Sequence, residues 1–387
     1  MKILMYSNHF GGPTTTFIMG DLKGLVAQNK VVYACVGTTT GQFVHDDVRV
    51  LPYKINPLLK KIRWILEKNG WNLTFKSSVF SNALNKLLDE FKPDIVQFNF
   101  GYEALMVTDN LAVRHRDLPM VINFLGYDAS FHLKRNSYVN KLKELAAREN
   151  VFATCNTGFL KKNLEERKIF FRENKIIYTG VDTDFFIRDD KRSKEHFTFL
   201  QIATLAKRKG QEVTLHAFRE FLNRVPDPDH YRLILAGGAE DEYGKTVREL
   251  PKILGIEKNI VFHDWITREQ ARDLMNRANC FLHHSCTVDG RTEGIPTAIS
   301  EAMSMELPVI STFHAGIPEL VEDGVNGFLV NERDVNTYAD RMKQIISWDL
   351  KPVNREKIIN KFNIQKRTDQ FLNYYHTVLM HLRTSNS

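Results

Sequence analysis

Two glutamates eight residues apart frame the segment with the clearest chemical content: Arg291-Thr292-Glu293-Gly294-Ile295-Pro296-Thr297-Ala298-Ile299-Ser300-Glu301-Ala302-Met303. Proline suits the first turn of a helix, so the Gly-Ile-Pro turn predicts a helix that begins near Pro296. Glu293 then lies ahead of the helix and Glu301 a little over one turn inside it. The free N–H groups of a helix start, with the helix dipole, favour a bound anion. Carboxylates accept hydrogen bonds from neutral hydroxyls. A ligand that strings a sugar, a phosphate and a ribose together would use all three features. The same residues also fit a solvated helix start carrying two surface acids.

Other candidates are weaker. Gly11-Gly12 follows the first apolar run, where a glycine turn lets backbone approach a phosphate, although any sharp turn can use the same pair. His283-His284 reads as a strand end, because no carboxylate or cysteine cluster completes a metal site around it. Cys35, Cys155, Cys280 and Cys286 have no metal spacing and read as reduced thiols of a cytoplasmic protein without an export signal.

These residues need a scaffold, and the hydrophobic pattern supplies one. Lys2–Tyr6, Val31–Val36, Asp94–Phe98, Met120–Phe124 and Val151–Thr154 read as short buried strands, with helical stretches at Thr15–Ala27, Ser77–Phe91 and Asn136–Arg148 between them. A strand at Lys175–Tyr178 and a polar linker at Asp182–Glu195 follow. The alternation restarts with strands at Phe197–Ala203, Arg232–Ala236, Ile260–Phe262, Cys280–Leu282, Val309–Ser311 and Gly327–Val330. Helices fit Gln211–Asn223, Arg268–Asn276, Thr297–Met305 and Val335–Ile346. The expected fold class is therefore α/β, with two Rossmann-like doubly wound domains facing a central cleft. The expected domains are 1–180, 197–355, and a helical segment 356–387 crossing back toward the first.

Composition agrees. The chain has 387 residues, more than one ordinary core accommodates, and 43% hydrophobic with 26% charged content is normal for a globular protein. No apolar run approaches the roughly 20 residues that span a bilayer. Through Tyr178 there are 25 basic and 16 acidic residues, and after it 28 and 30, so the first part carries the whole basic excess. That points to an anionic partner, a membrane surface or a phosphate-bearing substrate. Nucleic acid fits poorly, since no nucleic-acid motif is present and the basic residues are scattered. Asn56–Lys68 reads as an amphipathic helix with Leu58, Leu59, Ile62, Ile65 and Leu66 on one face, flanked by Lys54, Lys61 and Lys68, with Trp64 and Trp71 as interfacial aromatics. It suits an anionic membrane surface, or an ordinary helix packed on the domain.

The Glu293…Glu301 segment resembles the Glu-(seven residues)-Glu motif of family-four retaining glycosyltransferases, which have the GT-B fold. Its surroundings match as well: Leu307-Pro308-Val309-Ile310-Ser311-Thr312, then His314-Ala315-Gly316-Ile317-Pro318-Glu319, then Asp323-Gly324-Val325-Asn326-Gly327. Upstream, Gly180-Val181-Asp182 resembles the family's junction segment, and Asn331-Glu332-Arg333-Asp334 is similar to bacterial exopolysaccharide and lipopolysaccharide transferases of the colanic-acid type. The resemblance spans essentially the whole chain and is strongest from about 180 to 335.

The resemblance implies roles. Glu293 would contact the donor sugar, and Gly294, Ile295 and Pro296 would offer backbone to sugar and diphosphate. Glu301 would bind the ribose. Gly11-Gly12 would face the diphosphate. The family's Arg and Lys on the diphosphate map onto Ala203-Thr204-Leu205-Ala206-Lys207-Arg208-Lys209-Gly210: Lys209 matches the Lys, but Thr204 stands in place of the Arg, leaving Lys207 or Arg208 to supply charge. Gly126-Tyr127-Asp128 resembles the His-Gly-x-Asp loop, which places Asp128 on the acceptor side, with Leu125 where the His is expected and His9 or Asn123 as possible substitutes. The implied enzyme moves a hexose from a UDP-, GDP- or similar nucleotide-sugar to a hydroxyl of a glycan or lipid-linked acceptor, with retention, at the inner face of the cytoplasmic membrane. It needs neither metal nor cofactor. A catalytically weak relative serving as a scaffold of a glycan-assembly complex is the alternative that Thr204 and Leu125 favour.

Overall fold

The computed structural model describes residues 1–10, 16–38, 48–53, 77–189, 195–239, 242–348 and 353–385. The chain divides into two units, Met1–Gly180 with Ile364–Ser387, and Val181–Asn363.

The first unit holds strands β1 (Lys2–Tyr6), β2 (His9–Phe10), β3 (Lys30–Cys35), β4 (Gly37–Thr38), β5 (Val48–Val50), β6 (Ile95–Phe98), β7 (Met120–Phe124), β8 (Val151–Cys155) and β9 (Asn174–Ile176). Seven of them form one sheet in the order β5-β3-β1-β6-β7-β8-β9, and every pair is parallel. The strands are apolar on both faces because both faces are covered. Leu4, Tyr6, Val96, Phe98 and Ile122 enter one apolar cluster, while Ile3, Met5, Ile95 and Val121 enter another. Parallel neighbours require crossovers, supplied by helices such as Thr16–Val26, Ser78–Phe91 and Asn136–Ala146. Ser77 caps the second of these by accepting from Phe80 N at 3.4 Å.

The second cluster is completed by the helix Ile364–Ser385, which contributes Phe371, Tyr374, Tyr375 and Val378. Gly24 permits its close approach to Thr16–Val26: a Cβ there would stand 2.2 Å from Thr368 Oγ1. Arg367 is buried and grips Asp21 through Nε at 2.6 Å and a second guanidinium nitrogen at 2.9 Å, and its remaining nitrogen donates to the carbonyls of Ile177 and Tyr178, both at 2.7 Å.

The second unit holds β10 (Phe197–Ile202), β11 (Tyr231–Ala236), β12 (Ile260–His263), β13 (Cys280–Leu282), β14 (Val309–Thr312) and β15 (Gly327–Val330), in the parallel order β12-β11-β10-β13-β14-β15. The helical segment expected as one element over 356–387 is instead part of two helices, Val353–Lys361 in the second unit and Ile364–Ser385 in the first. The break has a physical cause. Phe362 O accepts from Val181 N at 2.7 Å, and Asn363 Nδ2 donates to Thr183 Oγ1 at 2.6 Å, so the backbone between the helices is engaged with the junction. The helix Glu242–Leu254 was not expected. It contains Gly244 and Pro251, yet it buries Val247 and Leu250 along one face.

In each sheet the chain runs outward from one strand and then returns to that strand's other side. The reversal lies between β1 and β6 in the first sheet and between β10 and β13 in the second. Open parallel sheets bind ligands outside the carboxyl ends of the strands at such a reversal.

Candidate active site

The loops leaving β10 and β13 are stapled together at the second reversal. Arg208 O accepts from Cys286 N at 2.9 Å, and Gln201 Nε2 donates to Lys209 O at 2.7 Å. Gly210 closes the short turn Lys207–Lys209 with φ +63°, and a Cβ there would lie 2.1 Å from His284 O, so only glycine fits. This packing delivers Lys209 Nζ to Glu293 Oε2 at 2.7 Å and Arg208 Nε to Glu293 Oε1 at 2.9 Å. Lys207 stays exposed. Of the two cations that could stand in for the expected arginine, the fold brings Arg208 to the acid.

Burial pushes the Glu293 carboxyl up, but the Lys209 and Arg208 cations paired to it outweigh burial and hold the group at about 2. While so paired, Glu293 is an anion throughout the physiological range and a weak base. His283 is buried, and burial pushes it down to about 3, so it sits neutral beside the pair.

Glu293 is also held from behind. Its backbone N–H donates to His314 Nε2 at 3.3 Å, and His314 Nδ1 lies 2.7 Å from Glu332 Oε1. Accepting at Nε2 leaves the imidazole proton on Nδ1, directed at Glu332. Thr287 donates to the same carboxylate through N at 2.8 Å and Oγ1 at 3.0 Å. Burial pushes Glu332 up, yet these hydrogen bonds from His314 and Thr287 keep it below the usual carboxylate range. Sequence reading did not find this brace, although Glu332 and His314 both lie in the segments that carried the resemblance.

The predicted helix spans Thr297–Ser304, with Pro296 as its N-cap rather than its first helical residue. Gly294, Ile295 and Pro296 are buried, and Gly294 O accepts from Gly316 N at 3.3 Å. Glu301 is partly exposed on this helix. Burial pushes its carboxyl up to about 7, opposed by Arg268. Arg268 is itself anchored to Asp182 at 2.9 Å and lies over the Phe185 ring at 4.1 Å. Thr204 is partly buried, and its carbonyl accepts from Gln211 Nε2 at 3.0 Å.

In the first unit, Gly11-Gly12 and Asn56–Lys68 lie outside the described residues. Asp128 is fully buried, and its carboxylate accepts from the N–H groups of Gly101 (3.1 Å), Leu125 (3.2 Å) and Gly126 (2.9 Å). Those bonds tie the loop to the carboxylate. Leu125, at the expected His position, belongs to the apolar cluster on the second face of the sheet. Asn123 is buried in β7 and accepts from Thr154 Oγ1 at 3.0 Å, and His9 is exposed on β2. Sequence reading also missed Glu103, a buried acid on the helix Gly101–Thr108 beside the β1/β6 reversal. Burial pushes it up to about 8. The available signal was a lone acid inside the apolar run Ala104–Val107 and its flanks. Among the described residues no group of three or more His, Cys, Asp or Glu side chains is disposed to hold a metal, and no helix is long and apolar enough to cross a membrane.

Two all-parallel α/β units, the second carrying a paired glutamate ahead of a helix at its strand reversal, have the GT-B architecture of solved glycosyltransferases. Residues 182–362 match the family described as glycosyl transferases group 1, a family of retaining enzymes. It is 29% identical over 329 residues to WcaL of Escherichia coli (strain K12), a glycosyltransferase assigned to colanic acid biosynthesis, covering 79% of this chain and 77% of that protein. It is 25% identical to the UDP-Gal:alpha-D-GlcNAc-diphosphoundecaprenol alpha-1,3-galactosyltransferase of Escherichia coli, covering 76% and 78%. The fold is shared with Anabaena Alr3699/HepE, solved in complex with UDP-glucose, at a TM-score of 0.75 and 18% identity over 97% of this chain and 100% of that one.

Proposed function

We propose that this chain transfers a sugar, with retention, from a UDP-, GDP- or similar nucleotide-sugar to a hydroxyl of a glycan or lipid-linked glycan during assembly of bacterial surface polysaccharide. The observation that carries this reading is Glu293, held ionised by Lys209 and Arg208 at the strand reversal of the family-matched unit. In this reading Glu293 accepts from the donor sugar's hydroxyls, Gly294, Ile295 and Pro296 offer backbone, Glu301 takes the ribose, and Thr204 lines the diphosphate loop. Lys209 and Arg208 exchange part of their pairing for the leaving diphosphate. The acceptor oxygen bonds to the anomeric carbon as the bond to phosphate breaks, and the acceptor's proton passes to the departing phosphate oxygen. No protein base is assigned. No metal is invoked. The names of the relatives support the substrate classes: UDP-galactose and a diphosphoundecaprenol-linked acceptor for one, colanic acid for another.

The test is calorimetry with UDP, GDP and ADP, each with and without sugar, at pH 6 and pH 8. Glu301 sits at about 7, so its ionised fraction rises across this range, and an ionised carboxylate is the better acceptor for ribose hydroxyls. Affinity for the preferred nucleotide should rise with pH more steeply in the wild type than in Glu301→Gln. The variant should be weaker at pH 8 by about 1.5–3 kcal/mol. Parallel pH profiles would remove Glu301 from the ribose, and no nucleotide binding at all would remove the donor site. Thr204 and Leu125 favour a second reading, a scaffold that binds donor without turning it over, and a donor hydrolysis assay separates the two.

The basic excess of the first 178 residues, with Lys54, Lys61 and Lys68, supports an anionic membrane surface as the place of work. Vesicle binding should weaken with salt and on changing these three lysines to Glu. Equal binding to neutral and anionic vesicles at low salt would reject it.

A further inference from the structure

Three buried imidazoles, His283, His284 and His314, follow β13 and β14, and they are engaged to different degrees. His283 finds a partner for neither ring nitrogen. His284 uses Nε2 alone, accepting from Arg333 N at 2.8 Å. His314 uses both nitrogens, with Nε2 taking the Glu293 N–H and Nδ1 meeting Glu332. A ring held at both ends keeps one tautomer and one orientation.

The loop that carries His314 is tied to the strands on both sides. Thr312 Oγ1 donates to Ser285 O at 2.8 Å, just past β13, and Phe313 N donates to Val330 O at 2.9 Å, at the end of β15. Ala315 then takes φ +48°, a left-handed conformation that a residue with a Cβ adopts at a cost. The turn leaves Phe313 exposed and His314 buried, and it sets Gly316 N to donate to Gly294 O. One loop therefore grips the backbone around Glu293 twice, at its own N–H and at the carbonyl one residue on. Holding those peptides fixes the direction in which the Glu293 side chain leaves the backbone. At its other end the carboxylate is held by Lys209 and Arg208. In the transferase reading those cations turn partly to the leaving diphosphate, so this grip loosens as charge develops. The backbone grip does not depend on them.

We propose that His314, oriented by Glu332, is a positioning residue for transfer, keeping Glu293 aimed at the donor sugar while Lys209 and Arg208 are drawn to the diphosphate. This rests on the transferase reading above. Glu332 is itself fixed by Thr287 N and Oγ1, so the chain Thr287–Glu332–His314 brings the ends of three strands to bear on one carboxylate. Misplacing a group at the reacting centre by about 1 Å costs roughly a hundredfold in rate. Affinity for the bare nucleotide does not depend on that aim.

The experiment compares the full wild-type chain with His314→Phe, His314→Gln, Glu332→Leu and the double variant His314→Phe with Glu332→Leu. Release of UDP or GDP from UDP-glucose, UDP-galactose and GDP-mannose gives the rate, calorimetry with UDP and GDP gives affinity, and nitrogen NMR of the histidine-labelled chain reads the ring tautomer. His314→Phe should lower kcat about thirty- to a hundredfold, with KM and nucleotide affinity within about twofold of wild type. His314→Gln, whose amide oxygen can accept where Nε2 did, should bring turnover back to within about fivefold. Glu332→Leu should lose a factor similar to that of His314→Phe, and the double variant should be no worse, because both act through one contact. The His314 proton should sit on Nδ1 in the wild type and shift toward Nε2 in Glu332→Leu. An unchanged kcat in His314→Phe, additive losses in the double variant, or an Nε2-protonated ring in the wild type overturns the proposal and leaves the transferase reading standing. Loss of nucleotide affinity in His314→Phe overturns it in favour of a purely structural brace. A wild type that binds neither nucleotide and releases none sinks the transferase reading, and this proposal with it.

Discussion

Glu293→Gln should lower turnover by about two to three orders of magnitude while leaving affinity for the bare nucleoside diphosphate unchanged or tighter. The two halves of this expectation have separate causes. In the proposed reading the carboxylate, held as an anion, faces the donor sugar where charge develops, so its loss acts on the transition state more than on binding. Its removal also releases Lys209 and Arg208, which are paired to it at 2.7 and 2.9 Å, and freed cations attract the diphosphate. Steady-state kinetics beside calorimetry with the bare diphosphate tests both. A variant that loses nucleotide binding while Glu301→Gln keeps it would show that the two acids have exchanged roles. If neither substitution changes rate or binding, the segment is a surface helix start and the donor site lies elsewhere.

Arg367→Ala should strip most of the stability from the first unit and spare the second. Breaking a fully buried ion pair costs about 3–5 kcal/mol, because the partner is left charged and unpaired, and a domain holds only about 5–15 kcal/mol in total. Arg367 also serves the carbonyls of Ile177 and Tyr178, so the loss extends beyond Asp21. Hydrogen exchange read by peptide should rise across β1, β3, β6 and the helix Ile364–Ser385, with 181–363 protected as in the wild type. Replacing Asp21 by Asn together with Arg367 by Met should recover part of the loss, since no uncompensated charge then remains. Unaltered exchange in Arg367→Ala would show that apolar packing alone holds the helix.

What could be read in advance follows from how local each feature is. β7, β13 and β15 coincide with the expected segments because a short apolar run closed by turn residues carries its own boundaries. The helix Glu242–Leu254 escaped because Gly244 and Pro251 are helix breakers by propensity, and tertiary burial of Val247 and Leu250 overrides them. Glu293 and Glu301 stood out because they share one segment. The brace behind Glu293 did not, because Thr287, His314 and Glu332 leave three different strand ends and meet only once the sheet forms. Likewise the sequence offered Lys207 or Arg208 as the replacement for a missing arginine, with Lys207 the more readily read as part of a solvated helix start. Only the left-handed turn at Gly210, seated against His284, settles which of them reaches the acid.

The second unit is an uninterrupted insertion in the first, entering at Val181 and leaving at Asn363, whose residues pair with each other. On the ribosome this separates the making of the first unit from its completion. Its sheet strands are all synthesised by Ile176, but the helix that covers one face of that sheet begins at Ile364. At about 5–20 residues per second, the intervening segment delays closure by roughly 10–40 s. During that interval Ile3, Met5, Val31 and Val121 lack the cover that Phe371, Tyr374 and Val378 later provide. The nascent chain thus keeps an apolar sheet face open while its second unit is already free to fold, and the last helix is the element that closes it.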